Sequence, residues 1–256
     1  MKYLSSSQNP QIKKLNLLIN KSRVRKKENR FVVSGERELS RAVEMSYKID
    51  TLFYRKGYDG KILDAQSNNV FELNSSLFDR VSMRSGSEKV IAVLESKSHH
   101  IKDIFVNNES RILVVEAPEK PGNIGALLRT AAAADWNAVI IANPKTDLYH
   151  PQTVRNSMGG IFSIPIATDS SEAVISFLKD NAFNITAAAL DQKAKHFKRV
   201  KYLRPLALVF GTEDKGLDQK WKKKAQQIVK IPVKFPIDSL NLSVSAGILM
   251  YHCGDQ

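Results

Sequence analysis

The chain has 256 residues, 43% of them hydrophobic and 25% charged, with a formal net charge of +13. That length and composition suit one large globular core or two ordinary ones, and no apolar run reaches the roughly 18–20 residues of a membrane span. The single cysteine, Cys253, excludes an internal disulfide and a cysteine metal cluster, and the five histidines lack ligand spacing, so no metal is expected.

The opening stretch, MKYLSSSQNPQIKKL, lacks the apolar core of a signal peptide and predicts a cytoplasmic protein. In NPQIKKLNLLI, apolar residues at 12, 15, 17, 18 and 19 follow a proline with helical spacing. Next comes KSRVRKKENR, residues 21–30, with six basic side chains against one acid. Such a run favours polyanions, because each phosphate it neutralises releases condensed counterions. Lys21, Arg23, Arg25, Lys26 and Lys27 are therefore candidate phosphate contacts. Taken alone, the run reads equally well as a solvated helix end or loop. The excess of charge extends further: residues 1–106 hold 20 Lys/Arg against 12 Asp/Glu, and the remainder 19 against 14, which favours a nucleic acid. RFVVSG predicts a strand, ERELSRAVEM a helix, and KIDTLFY and KVIAVLE two more strands. Together these elements predict a small α/β domain over residues 1–97, and the polar stretch 98–110 reads as a linker.

From residue 111 the pattern is βαβ: RILVVEA (strand), NIGALLRTAAAAD (helix), NAVIIAN (strand), SSEAVISFLKD (helix), then the strands FNITAAAL, PLALVFG and QIVKIPV. Strands alternating with helices predict a parallel sheet covered on both faces, with ligands bound beyond the strands' carboxyl ends. Three strand exits carry the candidate chemistry. At the first, PEKPGNIGALLRTA, Asn123 is expected in the loop that caps the next helix. Arg129 follows six residues later, and the two side chains can converge only if Asn123 precedes the helix. The stretch has G-x-x-G where a dinucleotide site needs G-x-G-x-x-G, and the next strand ends in Asn143, so an NAD site is not expected. At the second exit, LVFGTEDKGL, Gly211 lets backbone amides approach a ligand. The acids Glu213 and Asp214, without G-K-[S/T], suit a neutral or cationic ligand better than a triphosphate. The bland alternatives are an ion-paired surface arginine and a solvated acidic turn. At the third exit, Ser239 or Asn241 can cap the helix beginning at LSVSAGILMYH, while Ser243, Ser245 and Gly247 read as packing residues. HPQTVRNSMGGIFSIP adds Arg155 before a short strand, and no G-x-S-x-G elbow is present.

In order and spacing, these exits resemble the three motifs of the SpoU (TrmH-like) RNA 2′-O-ribose methyltransferases of the SPOUT superfamily. NIGALLR resembles N-x-G-x-x-x-R, LVFGTEDKGL resembles G-x-E-x-x-G after an apolar strand, and IPVKFPIDSLNLSVSAGI resembles I-P-…-S-L-N-x-S-V-x-x-x-I. NPQIKKL and RFVVSGERE resemble the ribosomal-protein-like substrate-binding domain that precedes the catalytic domain in many members. The resemblance implies an α/β SPOUT domain over 111–256 with a parallel sheet and a deep trefoil knot, an exception to the usual avoidance of knots. It implies S-adenosylmethionine bound in the knot by Gly211, Ile231 and Leu240, with Ala189 approaching the adenosine. It also implies a homodimer with its active site near the subunit interface, where Arg155 contributes or contacts RNA. Arg129 is the residue the family places at the reacting hydroxyl, with Asn123, Glu213 and Asn241 holding it and the ribose. A guanidinium is a poor base, so stabilising the developing alkoxide or gripping the adjacent phosphate is its chemical role. Two departures stand out: Phe235 occupies a usual glycine position, where it could reshape the rim of the cofactor pocket, and His252 a frequent glutamate position. The expected activity is 2′-O-methylation of a ribose in structured RNA, ribosomal RNA first. The alternatives are a tRNA 2′-O-methyltransferase, a base methyltransferase on a related fold, and an RNA-binding protein that has lost methyl transfer.

Overall fold

The computed structural model describes residues 2–59, 67, 69–83, 88–212 and 214–254, which form two compact units. The first contains residues 1–98 together with 148–162, and the second 99–147 and 163–256.

The first unit is built on a five-stranded mixed sheet. Its elements are β1 (Lys2–Leu4), α1 (Pro10–Asn20), α2 (Ser22–Glu28), β2 (Arg30–Ser34), α3 (Glu36–Glu44), β3 (Ile49–Arg55), β4 (Val70–Leu73), α4 (Ser75–Val81) and β5 (Val90–Glu95). The strand order is β1-β4-β3-β5-β2, with β5 antiparallel to both its neighbours. α1 forms where its spacing predicts: Ile12, Leu15 and Leu18 are fully buried, and Asn9 caps its first turn through its side-chain oxygen. They pack with Leu77 and Phe78 of α4 on a sheet face bearing Val32, Phe53, Phe71 and Ile91. The three-residue β1, the four-residue β4 and the seven-residue α4 escaped the pattern reading because a run that short shows no period.

The apolar run of β2 has its cause in the second half of the chain. Helix α6 (Pro151–Ser157) lies against β2, and Tyr149 stacks on Phe31 at 4.2 Å between ring centroids. The Tyr149 hydroxyl lies 3.3 Å from that of Tyr47. β2 is therefore covered on both faces, so it reads as continuous rather than alternating. Gly159 (φ +95°) passes so close to Arg41 that a Cβ there would lie 2.4 Å from its Cδ, and the Arg41 guanidinium donates to the Met158 carbonyl. Residues 148–162 thus belong with the first unit, where a boundary at 97 had been expected to divide the chain once. The stretch 98–110 is no free linker either. The His99 carbonyl accepts from the Thr168 N–H, and Ile104 is buried in the second unit's core.

The second unit is a seven-stranded parallel sheet of order β10-β12-β9-β11-β6-β7-β8. It comprises β6 (Arg111–Glu116), α5 (Pro121–Ala133), β7 (Ala138–Ala142), then after the one-turn α7 (Gly160–Ser163) β8 (Ile166–Asp169), α8 (Ser171–Asp180), β9 (Asn184–Ala188), β10 (Lys195–His196), β11 (Leu206–Phe210), α9 (Gln219–Lys224), β12 (Gln227–Lys230) and α10 (Leu242–Gly254). Ile112, Val114, Ile140, Ala187 and Val209 meet Val174 and Leu178 of α8 and Trp221 of α9 in one core layer. Their alternates, Leu113, Val115, Ile141 and Leu208, serve the opposite face. α5 packs against β7, and α10 against β11 and α5. From β6 the chain runs outward to β7 and β8, then returns to build β9, β11 and β12 on the other side. That reversal places a topological switch point at β6 and β11, where the carboxyl ends of parallel strands open a crevice.

Candidate active site

The registers put three of the predicted donor contacts side by side. Phe210 and Val229 both lie opposite Ala188, so Ala189, Gly211 and Ile231 leave the same edge of three adjacent strands, β9, β11 and β12. Neighbouring strands are ~4.8 Å apart, a spacing that lets one small molecule touch all three exits. Gly211 is buried, and a Cβ there would fall 2.1 Å from the Gly216 carbonyl carbon and 2.3 Å from the Leu217 nitrogen. Only glycine lets the chain fold back here, closing the Thr212–Gly216 bridge with hydrogen bonds of 3.0 and 3.1 Å. Asp214 is exposed on that turn, and Glu213 lies outside the described residues.

Asn241 does two things at once. Its side-chain oxygen accepts from the Ser243 N–H at 2.9 Å and the Ser243 hydroxyl at 2.7 Å, capping α10. Its side-chain nitrogen donates to Asn123 Oδ1 at 3.1 Å, joining the first exit to the third across 118 residues of sequence. Asn123 itself lies inside the first turn of α5, not in a loop ahead of it, and no side chain caps that helix. This overturns the geometry expected for Arg129. Six residues on one helix are about 9 Å and about 240° apart, so Arg129 and Asn123 do not share a face. Arg129 is exposed and makes no ion pair with any described residue. Leu240, next to the cap, is 37% exposed, and Phe235 is 95% exposed. The phenyl ring therefore does not fill the strand-exit crevice of this chain.

The reading of the sequence overlooked Glu116. Its carboxylate, 7% exposed, accepts from Trp221 Nε1 at 2.6 Å, from Asn143 Nδ2 at 3.0 Å and from the Ser171 hydroxyl. It fastens the end of β6 to the end of β7, the start of α8 and the helix that follows the Gly211 turn. An acid closing the apolar run ILVVE was the visible signal, since a buried carboxylate must be fully hydrogen-bonded.

The basic candidates divide. Lys21, Arg23, Lys26 and Lys27 are exposed on or beside α2. Arg25 is 3% exposed and donates to the carbonyls of Leu18 at 2.6 Å and Ile19 at 3.0 Å, at the carboxyl end of α1. It is a helix-capping residue and is withdrawn from the RNA contacts. Arg155, on α6, is exposed and shares a cleft of the first unit with Asn20, Met83 and Gln152, so it opens beside the residue preceding Lys21. No group of three or more His, Cys, Asp or Glu side chains among the described residues is placed to hold a metal.

Residues 110–251 match the sequence pattern of the SpoU rRNA Methylase family, more than half of the chain. The chain belongs to this family. Residues 9–92 of this SpoU-family protein match a second pattern, the MRM3-like substrate binding domain. Among curated relatives it is similar to the 23S rRNA (guanosine(2553)-2′-O)-methyltransferase RlmP of Bacillus subtilis, at 25% identity over 98% of this chain and 99% of the relative. An uncharacterized tRNA/rRNA methyltransferase of Archaeoglobus fulgidus is 30% identical over 87% of this chain and 88% of its own. The crystal structure of the AdoMet-bound rRNA methyltransferase from Sinorhizobium meliloti superposes with a TM-score of 0.91 at 26% identity, over 98% of this chain and 97% of that one.

Proposed function

We propose that this SpoU-family protein transfers a methyl group from S-adenosylmethionine to a ribose 2′-oxygen of ribosomal RNA. The carrying observation is the convergence of Ala189, Gly211 and Ile231 at three adjacent strand exits beside the Asn123–Asn241 hydrogen bond. The fit to the donor is chemical. The exits offer backbone groups and small side chains, and the Gly211 turn carries Asp214 and Glu213 with no phosphate-loop lysine-serine pair, suiting a sulfonium cation. When bound, S-adenosylmethionine supplies an electrophilic methyl group.

The chain's own residues do the rest. Asn123 and Asn241 lock each other and orient the ribose. Glu213 joins them in holding the acceptor side. Arg129 stabilises negative charge developing on the 2′-oxygen, or grips the neighbouring phosphate, with a guanidinium that makes no ion pair with any described residue. Leu240 covers the donor, and Lys21, Arg23, Lys26, Lys27 and Arg155 hold RNA phosphates on the first unit. An rRNA substrate puts this work in the cytoplasm. The segment carrying β12 and α10 is read as the threaded strand of a trefoil knot. Its ties to α5, by Asn241–Asn123, and to the turn after α5, by Trp136 Nε1 to the Met250 carbonyl at 3.3 Å, support that reading. A homodimer is inferred from α10, where Val244, Ile248 and Tyr251 are 50%, 38% and 53% exposed on one stripe. Arg129 diverges from the asparagine pair within one chain, which fits a site completed near that interface.

The test is transfer of labelled methyl to a large-subunit rRNA transcript, followed by nucleoside mass spectrometry. A 2′-O-methylated nucleoside is expected, with Arg129→Ala reducing turnover by about 100-fold or more at nearly unchanged donor affinity. Base-methylated product, or product on tRNA transcripts alone, would replace the proposed acceptor. Parental rates in the arginine variant would remove it from the chemistry.

A further inference from the structure

A basic stretch of the second unit lies between Asp191 and Glu213. Residues 192–212 hold six Lys/Arg and no Asp or Glu. Arg204 is paired with Glu109 at 3.3 Å. Lys195, Lys198, Arg199 and Lys201 are exposed, and none of them makes an ion pair with any described residue. Two neighbouring lysines of the same unit are paired: Lys222 sits 3.0 Å from Asp191 and Lys220 3.2 Å from Glu172.

The four charges are gathered at one border of the sheet. β10 lies parallel to β12, with Lys195 opposite Val229 and His196 opposite Lys230, one residue before Ile231. Lys198 and Arg199 follow in a single 3-10 turn on Phe197, and the Lys201 carbonyl accepts from Gln227 Nε2 at 3.0 Å on β12. The patch thus starts beside the exit of β12, at Lys195, and runs back along the border of the sheet to Lys201 at the amino end of β12. A lysine on an edge strand also blocks unwanted strand pairing, but one lysine suffices for a strand of two residues. A surface selected for solubility alone mixes both signs, whereas this one carries four positive charges together, none ion-paired with a described residue.

We infer that this edge is a second RNA-binding surface, which holds backbone phosphates of the substrate on the catalytic unit next to the proposed methyl-transfer site. The inference rests on the reading of an RNA substrate, and it identifies cations that the basic run at 21–27 does not include. RNA is favoured over other polyanions because the patch borders the strand exits where a ribose has to be presented, and extended phosphate contacts there would keep it in register. The apolar side chains an interfacial membrane contact buries are scarce, with Leu190 and Leu203 exposed at 60% and 61% on the flanks of the basic stretch.

The experiment compares the full-length parent with Lys198→Gln/Arg199→Gln/Lys201→Gln for binding to a large-subunit rRNA transcript across a salt series. Donor affinity and circular dichroism verify folding. The single variants Lys195→Gln and Lys201→Gln keep the test open if the triple variant misfolds. Expected are RNA binding weakened by about tenfold or more at low salt, a slope of log K against log salt reduced by about 2, and unchanged donor binding. Equal affinity and slope in parent and variants would overturn the inference. So would patch-dependent binding to phosphatidylglycerol vesicles without any patch-dependent binding to RNA. A parent that methylates RNA normally while the variants bind as it does leaves the activity standing and removes only this surface. A parent without transferase activity whose RNA binding still depends on the patch does the reverse.

Discussion

At the scale of single residues, Asn241 shows how one side chain serves fold and chemistry through different atoms. Its oxygen caps α10 and its nitrogen holds Asn123. The two roles are separable because aspartate keeps the acceptor and removes the donor. Asn241→Asp is expected to hold stability within about 0.5 kcal/mol, since a carboxylate caps as well as an amide and gains from the helix dipole. Turnover should nevertheless fall by about 10–100-fold as Asn123 loses its anchor, whereas Asn241→Ala should also cost about 1 kcal/mol in urea unfolding. Parental turnover in the aspartate variant would show that the Asn123 link is only structural. Cys253 is another case where environment decides chemistry. Burial pushes its thiol up to about 12, so it remains a neutral core residue.

At the scale of elements, α1 and α2 illustrate how a charge run can hide a structural member. Five of the six basic residues in 21–30 are not buried, and Arg25 turns inward to close the end of α1. Hydrogen bonds from a guanidinium to helix-terminal carbonyls are worth more than neutral ones. Arg25→Ala is therefore expected to destabilise the protein by about 1.5–3 kcal/mol, read as a lower urea midpoint, while the folded variant binds RNA as the parent does. Loss of RNA affinity without loss of stability would return it to the phosphate contacts. The sequence could not separate it from Lys26 and Lys27, because a seven-residue helix carries too little apolar periodicity to reveal which face is inward. The β6–β7–α8–α9 junction at Glu116 was equally hidden, because its four members, Glu116, Asn143, Ser171 and Trp221, are scattered along the chain.

At the scale of the whole molecule, α10 is apolar on nearly every side, and one chain covers only part of it. Leu249 and Met250 are buried while Val244, Ile248 and Tyr251 face out. A helix apolar all round needs cover on both sides. Sedimentation of the parent is expected at twice 28.7 kDa, with Ile248→Glu shifted to monomer at micromolar concentration and native circular dichroism retained. A monomeric parent would sink the dimer and leave Arg129 to act within its own chain.

The periodicity of the sequence by itself determined the parallel sheet, most of its strands and the three polar exits, because burial on a strand or helix leaves a local pattern of period 2 or 3.6. It also marked Gly211 and Asn241, whose neighbours in sequence demand a turn and a cap, and it marked Asn123, although ahead of α5 rather than within its first turn. Only the tertiary structure decided which exits touch, that residues 148–162 complete the first unit, that Arg25 is buried and that Arg129 leaves the helix away from Asn123. Those facts depend on contacts between segments separated by tens to hundreds of residues, and no local pattern records them. The cations of the β10 edge needed both: their sequence shows the charge, and the pairing of β10 with β12 shows where it is aimed.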